Sequence, residues 1–362
     1  MKRFLIVGLL LSCAATPALA FADADYATAM GATARKVIVP GYESFQSAAD
    51  TLRNEAAALC AAPSAEQLAK TQTAFATTAQ QWARLQFLTL GLISVHQRAS
   101  RIQYWPDKRN VVGRQLSEVL DKQDPAALEP ERFATTSVGV QGLPAMERLL
   151  FDDEALAAVA KDAPGAAFRC GVMKAIGDNL HTIAGDVLAD WTEGDRPMLD
   201  RIEHPDPNDE QMPSARDAAG RLLNDMLTTT IAVRDMKLLT ALGASLEKAK
   251  PQAAEFRRSG QSLAMVTANI EGLRDLFGGF AVLLRTTQGG DKIAADFSAA
   301  IDEVLAAKDK ITLPLGEAAA NAAQRPHVEE LAVALVKLRD LLAGPVAANL
   351  NLAIGFNALD GD

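Results

Sequence analysis

Residues 222–242, LLNDMLTTTIAVRDMKLLTAL, decide the fold class. Apolar side chains recur in this stretch at the spacing that places them on one face of a helix. The stripe consists of Leu223, Leu227, Ile231, Leu238 and Leu242, and Leu222, Met226 and Leu239 widen it. The segment is therefore predicted to be a helix with one buried face.

Seven further segments have the same period, and alternating strand-like runs bounded by Asn-Gly or Asp-Gly turns are absent. We therefore predict an all-α fold. The other helical segments are 26–61, 65–98, 144–158, 165–191, 262–285, 291–309 and 328–351.

A change of amino-acid composition near the middle of the chain indicates a boundary between two parts of the fold. Residues 193–216, EGDRPMLDRIEHPDPNDEQMPSAR, carry four prolines and many acids. These residues interrupt the helical period, so we predict a linker at 196–214. The flanking parts, 21–195 and 215–362, each hold enough helices for one four-helix bundle. The predicted architecture is two packed four-helix-bundle-like halves.

The first 20 residues have the organisation of a secretory signal peptide. Two basic residues precede a short apolar run (4–11), and a small-x-small site places cleavage between Ala20 and Phe21. Leu-Ser-Cys ending at Cys13 offers the alternative of a bacterial lipid anchor. Both alternatives predict an exported protein of the periplasm or cell envelope.

Charge and hydropathy exclude two classes of protein. The formal net charge is −9, and nucleic-acid affinity comes mainly from Lys and Arg neutralising phosphates. We therefore expect no nucleic-acid partner. After the signal peptide, no stretch is apolar and long enough to predict a transmembrane segment.

Cys60 and Cys170 remain after cleavage at Ala20. In an oxidising compartment such a pair is more often a disulfide than two free thiols, so we predict a Cys60–Cys170 bond. Two buried, unpaired thiols are the alternative.

Motifs for common catalytic sites are missing from the sequence. There is no H-E-x-x-H zinc motif, no G-x-S-x-G elbow and no phosphate-binding glycine loop. The four histidines are scattered, and the acidic residues of the linker lack the spacing of a calcium loop.

Residues 98–114, RASRIQYWPDKRNVVGR, reverse the acidic character of the chain. Five basic residues accompany a single acid, Asp107, and enclose Tyr104 and Trp105. One interpretation is a pocket for an anionic ligand, formed by Arg101, Tyr104 and Trp105. The other is a segment that pairs with the protein's own acids and buries its aromatic rings. The surrounding irregular stretch, 99–140, is typical of a functional connection or a packed lid.

Residues 139–151, GVQGLPAMERLLF, raise a similar choice. Pro144 suits the first turn of a helix, where its missing N–H would have no partner. Glu147 close behind could interact with the positive end of the helix dipole. The alternative is that Glu147 also lines a ligand site.

Several of these segments together resemble the imelysin family, also called M75 peptidase-like, over nearly all of the mature chain. The segments are the Trp82 helix, RIQYWPD, GVQGLPAMERLLF, KPQAAEFRRSGQSL (250–263), NIEGLRDLFGG (269–279) and the closing GFNALDGD (355–362). The resemblance implies an exported helical protein of two bundle-like halves, often associated with bacterial iron uptake. It also carries a peptidase label that is not secure for most members.

The metal motif proposed for the family, G-x-H-x-x-E, falls on Gly142 to Glu147, and Pro144 occupies the histidine position. Proline has no side-chain donor, so the principal ligand of a peptidase site is lost. We therefore expect a non-catalytic envelope protein that binds a metal ion such as iron, a metal complex or an iron-uptake partner protein. The alternatives are a metallopeptidase with a degenerate site and a structural or interaction module.

The candidate metal or ligand residues share acidic side chains and an expected position between the two halves. They are Glu147, Asp107, Asp360 and Asp362.

Overall fold

A computed structural model describes residues 21–355, and every regular element in this range is helical. The prediction of an all-α fold is confirmed. Several predictions lie outside the described residues: the signal peptide with cleavage after Ala20, the Cys13 anchor, and the candidate ligands Asp360 and Asp362. Within the described range, no helix is both long enough and apolar enough to cross a membrane.

The first part of the chain contains four longer helices and several short ones. The longer helices are α1 (Asp23–Thr33), α2 (Val39–Ala61), α3 (Ala65–Ala83) and, after the short elements, α9 (Ala166–Thr192). A π-helical turn, Ala34–Ile38, joins α1 to α2. Between α3 and α9 lie α4 (Arg98–Ile102), α5 (Val111–Lys122), α6 (Pro130–Phe133), α7 (Val138–Gln141) and α8 (Leu143–Phe151).

The second part begins after a short helix, α10 (Met198–Glu203), which lies inside the predicted linker. Its helices are α11 (Ala215–Ile231), α12 (Thr240–Leu242), α13 (Ser262–Leu284), α14 (Gly290–Asp309), α15 (Leu315–Ala320), α16 (Arg325–Leu341) and α17 (Ala347–Asn349). A π-helical stretch, Ala232–Leu239, continues α11 into α12, and another, Leu342–Val346, joins α16 to α17.

Local side-chain chemistry explains where two of the long helices begin. The Ser64 hydroxyl accepts a hydrogen bond from the N–H of Gln67 (3.1 Å) at the start of α3. Ser214 accepts in the same way from Asp217 N–H (3.1 Å) at the start of α11. Each serine satisfies one of the free N–H groups of a first turn.

Two groups of helices share one buried core. In the first part α2 packs against α3 and α9, and in the second part α14 packs against α13 and α16. Helix α1 leaves its own part of the chain and packs against α11 and α13. The buried apolar side chains of both parts form a single contiguous cluster. The division of the chain at 196–214 stays a prediction.

The predicted disulfide is present. Cys60 at the end of α2 is bonded to Cys170 near the start of α9, and the two cysteines are 110 positions apart. The bond fastens together the two helices that pack most extensively in the first part of the chain.

Helix α3 is shorter than the periodicity predicts. The pattern indicated a helix to residue 98, but α3 ends at Ala83. Beyond it, the N–H groups of Thr89 and Leu90 donate to the buried carboxylate of Asp225 at 2.8 and 2.9 Å. The backbone amides there bond to a residue of α11 instead of continuing a helix.

Candidate functional site

A cavity of about 860 Å³ lies between the two parts of the chain. Its walls come from 103–112 and 144–148 on one side and from 231–240 and 250–258 on the other. The charged side chains of the lining are Asp107, Lys108, Glu147, Arg148, Asp235, Lys250, Glu255, Arg257 and Arg258. The lining residues thus come from both sides of the predicted linker at 196–214.

Tyr104, Trp105 and Asp107 line this cavity because α4 ends at Ile102 and the chain then runs without helix to α5. Both aromatic rings are half-buried. The carboxylate of Asp107 accepts hydrogen bonds from the N–H groups of Val111 (2.7 Å) and Val112 (3.0 Å). Asp107 therefore stabilises the start of α5, where a negative charge is favourable.

Arg101 was grouped with the two aromatic residues as a pocket candidate, but it does not line the cavity. Its guanidinium donates to the side-chain oxygens of Gln141 and Asn179, both at 2.6 Å. Because α4 turns this side chain toward α7 and α9, Arg101 joins three helices instead of reaching the cavity. This part of the predicted constellation is not brought together.

Glu147 lies in the wall of the cavity and is almost fully buried. Its Oε1 accepts two hydrogen bonds from Ser259, one from the N–H and one from the hydroxyl, each at 2.9 Å. Burial raises the pKa of the Glu147 carboxyl, and the bonds from Ser259 and the nearby Arg258 and Arg257 oppose that change. The side chain fastens the 256–259 turn to α8.

The role of Glu147 at the helix start is corrected by this geometry. Helix α8 begins at Leu143, so Glu147 is its fifth residue, and no acid lies in the first turn. Pro144 does occupy the first turn, where its missing N–H is harmless. The carboxylate bonds to a residue 112 positions away, not to the amides of its own helix.

Gly142, the other matching residue of the family motif, has a packing role. A Cβ at this position would lie 2.2 Å from the carbonyl oxygen of Ile102 and 2.4 Å from that of Arg101. Only glycine allows this close approach between the start of α8 and the end of α4.

A buried ion pair lies next to the aromatic wall of the cavity, which is formed by Tyr104 and Trp105. The ammonium of Lys237 is 2.6 Å from Oε2 of Glu255, and each side chain is 1% exposed. Lys237 also donates to Gln86 (2.8 Å) and Asn269 (2.7 Å), and Gln103 donates to Glu255 Oε1 (2.6 Å). Burial lowers the pKa of Lys237, and Glu255 opposes that change.

This network connects the two parts of the chain to the cavity. The Lys237 ammonium lies 5.8 Å from the centre of the Trp105 ring, within the range of a cation–π interaction. Lys237 belongs to the π-helical stretch Ala232–Leu239, and such irregular turns are frequent at functional sites. Glu255 belongs to the cavity wall itself.

Three arginines meet at another side of the cavity. Arg258 donates to Asp152 at 2.7 Å, and Arg148 donates to the amide oxygen of Asn110. The guanidinium of Arg257 makes no hydrogen bond or ion pair with any residue in 21–355; only its backbone carbonyl accepts a hydrogen bond, from the N–H of Gly260 (3.3 Å). Burial lowers the pKa of both Arg148 and Arg257, and the charge of Arg258 lowers each further.

Most carboxylate oxygens of the cavity already have partners within the protein. Within residues 21–355, no group of three or more His, Cys, Asp or Glu side chains is arranged to hold a metal. Each cavity carboxylate either accepts a hydrogen bond from a protein group or pairs with a basic side chain. These carboxylates are Asp107, Glu147, Asp235 and Glu255.

A second concavity of similar volume lies between α2 and α3. Its lining is mainly Ser, Thr and Ala, with no aromatic side chain. The cavity between the two parts of the chain is the stronger candidate because aromatic, cationic and buried polar groups converge on it.

Fold and site define a class of protein: an all-helical chain with a ligand-sized cavity between two packed helical groups. The family model of imelysin, peptidase M75, matches residues 38–342, and the chain belongs to the imelysin family. An imelysin-like protein from Psychrobacter arcticum 273-4 superposes with a TM-score of 0.77 at 20% identity, covering 94% of this chain and 100% of that one.

A second solved structure has the same fold. It is that of a protein from Parabacteroides distasonis ATCC 8503 named as a putative iron-regulated protein A precursor. The TM-score is 0.75 at 17% identity, with 91% of this chain and 96% of that chain covered. A comparison with curated proteins found no match.

Sequence reasoning did not single out Arg148, Lys237, Glu255, Arg257 or Arg258 as residues of the site. A signal existed for the last three, because the EFRR run at 255–258 lies in a segment used only for the family resemblance. Lys237 gave no such signal, since a lysine in a helical pattern is normally solvent-exposed.

Proposed function

We propose that this chain is a non-catalytic binding protein of the periplasm or cell envelope that takes part in acquiring iron or another metal. The observation that carries the proposal is the cavity between the two parts of the chain, with Trp105, Tyr104 and Glu147 in its wall. Membership of the imelysin family and the iron-regulated name of the P. distasonis protein support the link to metal.

The peptidase alternative has less support in the site. Its motif would need a metal-binding histidine where Pro144 stands, and Oε1 of Glu147 already accepts two hydrogen bonds from Ser259. A metallopeptidase would cleave unfolded casein in a chelator-sensitive way, and Glu147→Gln would abolish the cleavage. A structural or interaction module would bind neither metal nor small ligand.

The test is calorimetric titration of the purified chain beginning at Phe21. Iron, zinc, copper and calcium salts are titrated first, followed by ferric citrate. Glu147→Gln reports on the carboxylate, and Glu303→Gln, an exposed position on α14, is the matched control.

A cavity-filling variant locates the site. Ala253→Trp places an indole in the cavity wall, and Ala244→Trp places one at an exposed position outside the lining. We expect saturable binding of a metal salt or of ferric citrate that Ala253→Trp abolishes and Ala244→Trp preserves. The proposal is contradicted if neither a metal salt nor ferric citrate binds, or if Ala253→Trp leaves the binding unchanged.

A further inference from the structure

Of the three arginines on one side of the cavity, only one is paired with an acid within residues 21–355. Arg258 is neutralised by direct contact with Asp152, but Arg148 contacts only a neutral amide oxygen, and Arg257 has no partner among the described residues. A guanidinium carries five N–H donors in a planar fork that matches a carboxylate or phosphate. Arg148 and Arg257 therefore present unused donors at the cavity wall.

The acids near these arginines have protein partners of their own. Asp152 pairs with Arg258, Oε1 of Glu147 accepts from Ser259, and Asp107 accepts from the first amides of α5. Glu255 is paired with Lys237 deep in the wall. An anion that enters the cavity would meet cations whose nearest acids are already bonded elsewhere.

The aromatic wall adds a second recognition element. Trp105 is half-buried and lines the cavity, whereas Trp82 and Trp191 are fully buried in the core. The Lys237 ammonium lies 5.8 Å from the centre of the Trp105 ring, and Gln103 and Glu255 line the same cavity. An indole ring at a cavity wall offers a surface for a planar group.

We infer that the ligand of this cavity is an organic anion with a planar ring, its charged group held by Arg148 and Arg257 and its ring packed against Trp105. The inference rests on the proposed function, because it assigns the chemistry of the ligand that the cavity takes. Ligands with this chemistry include free aromatic carboxylates and anionic metal chelates built from them. The unpaired guanidinium donors disfavour a bare cation as the ligand.

The test uses a matched pair of probes, 2-naphthoate and 2-naphthamide, which share the ring and differ in charge. Calorimetry measures the affinity of each for the chain beginning at Phe21. We expect 2-naphthoate to bind at least about tenfold more tightly than the amide, a difference of about 1.4 kcal/mol. We also expect its affinity to fall as salt is added.

Arg257→Gln is the main variant, because Arg257 is exposed and has no partner among the described residues whose loss would disturb folding. Arg109→Gln is the control, since Arg109 is exposed, lies close to the aromatic wall in sequence and is absent from the cavity lining. Arg257→Gln should weaken 2-naphthoate binding about tenfold and leave 2-naphthamide unchanged, and Arg109→Gln should change neither. Trp105→Leu should weaken both probes.

Three results overturn the inference: equal affinity for the two probes, equal effects of Arg257→Gln and Arg109→Gln, or no binding of 2-naphthoate. If a free metal salt binds in the cavity while 2-naphthoate does not, the anion assignment fails and the proposed function stands. If neither metal salts, ferric citrate nor 2-naphthoate bind, the proposed function fails as well.

Discussion

Replacing Lys237 by methionine would leave the carboxylate of Glu255 buried without its ammonium partner. Glu255→Gln would leave the opposite situation, a buried ammonium that keeps only the neutral oxygens of Gln86 and Asn269. Because both side chains are 1% exposed, water cannot replace the missing partner. Breaking a buried pair from one side costs about 3–5 kcal/mol of unfolding free energy, so each single variant should lose about that amount.

The double variant Lys237→Met/Glu255→Gln should be far less destabilised than the sum of the singles. It contains no unpaired buried charge, and the amide oxygen that replaces the carboxylate can still accept a hydrogen bond from Gln103. Its remaining costs are the side-chain oxygen of Asn269, which loses the Lys237 donor at 2.7 Å, and the new amide NH₂ at position 255, which has no acceptor where the ammonium stood. Each unsatisfied buried polar group costs about 1–3 kcal/mol. Taken from the middle of these ranges, the interaction free energy of the cycle is about 4 kcal/mol.

The assay is urea unfolding of the four proteins at pH 7, followed by far-ultraviolet circular dichroism. Leu239→Ala, an exposed neighbour in the same π-helical stretch, controls for effects on the helix itself. If the two single losses add within about 0.5 kcal/mol in the double variant, the charges are not coupled. In that case the reasoning about the network beneath Trp105 is refuted.

Three further predictions concern stability. Cys60→Ser/Cys170→Ser should lower the unfolding free energy by about 4–5 kcal/mol, because the bond closes a loop spanning 110 positions; reduction of the wild type should reproduce this loss and leave the variant unchanged. Burial raises the pKa of Asp225 from 3.8 to about 6, so the native state binds its proton more tightly than the unfolded state does. The protonated side chain therefore stabilises the fold below about pH 4, and this contribution is lost as pH rises through about 6. The free energy of unfolding should fall by about 3 kcal/mol over that range. Asp225→Asn should flatten that part of the curve of unfolding free energy against pH. Gly142→Ala should destabilise the protein markedly, since its Cβ would lie 2.2 Å from a carbonyl oxygen, whereas Gly278→Ala, with open space at an exposed helical position, should raise the melting temperature.

Long uninterrupted periodicity made most of the helices predictable. The segments 165–191, 262–285 and 291–309 correspond to α9, α13 and α14 within one or two residues. The extension of α3 to 98 was wrong, because the amides that would have continued it bond to Asp225, at least 135 positions away. A local pattern carries no information about such a distant acceptor.

The site was predictable only in part for the same reason. The composition of 98–114 and of 139–151 indicated Tyr104, Trp105, Asp107 and Glu147, which the fold does bring to one cavity. It did not reveal that Glu147 would be bonded to Ser259, 112 positions away. Which residues face a cavity depends on such distant pairings, and helical period fixes only the face of each helix.

Helix α1 contacts segments that lie far away in sequence and are therefore synthesised much later. The Tyr26 hydroxyl donates to the carbonyl of Leu350 (2.7 Å), 324 positions later, and Asp23 accepts from the N–H groups of Ala215 (3.1 Å) and Arg216 (2.9 Å). A chain synthesised from its N-terminus makes α1 long before these partners.

Contacts so distant in sequence carry a large loop-closure entropy and form slowly. Helix α1, although made early, is therefore among the last of the helices in 21–355 to dock. A chain that stops short of Leu350 would leave the apolar face of α1 partly uncovered. Truncation near the C-terminus would then cause aggregation through α1, near the N-terminus.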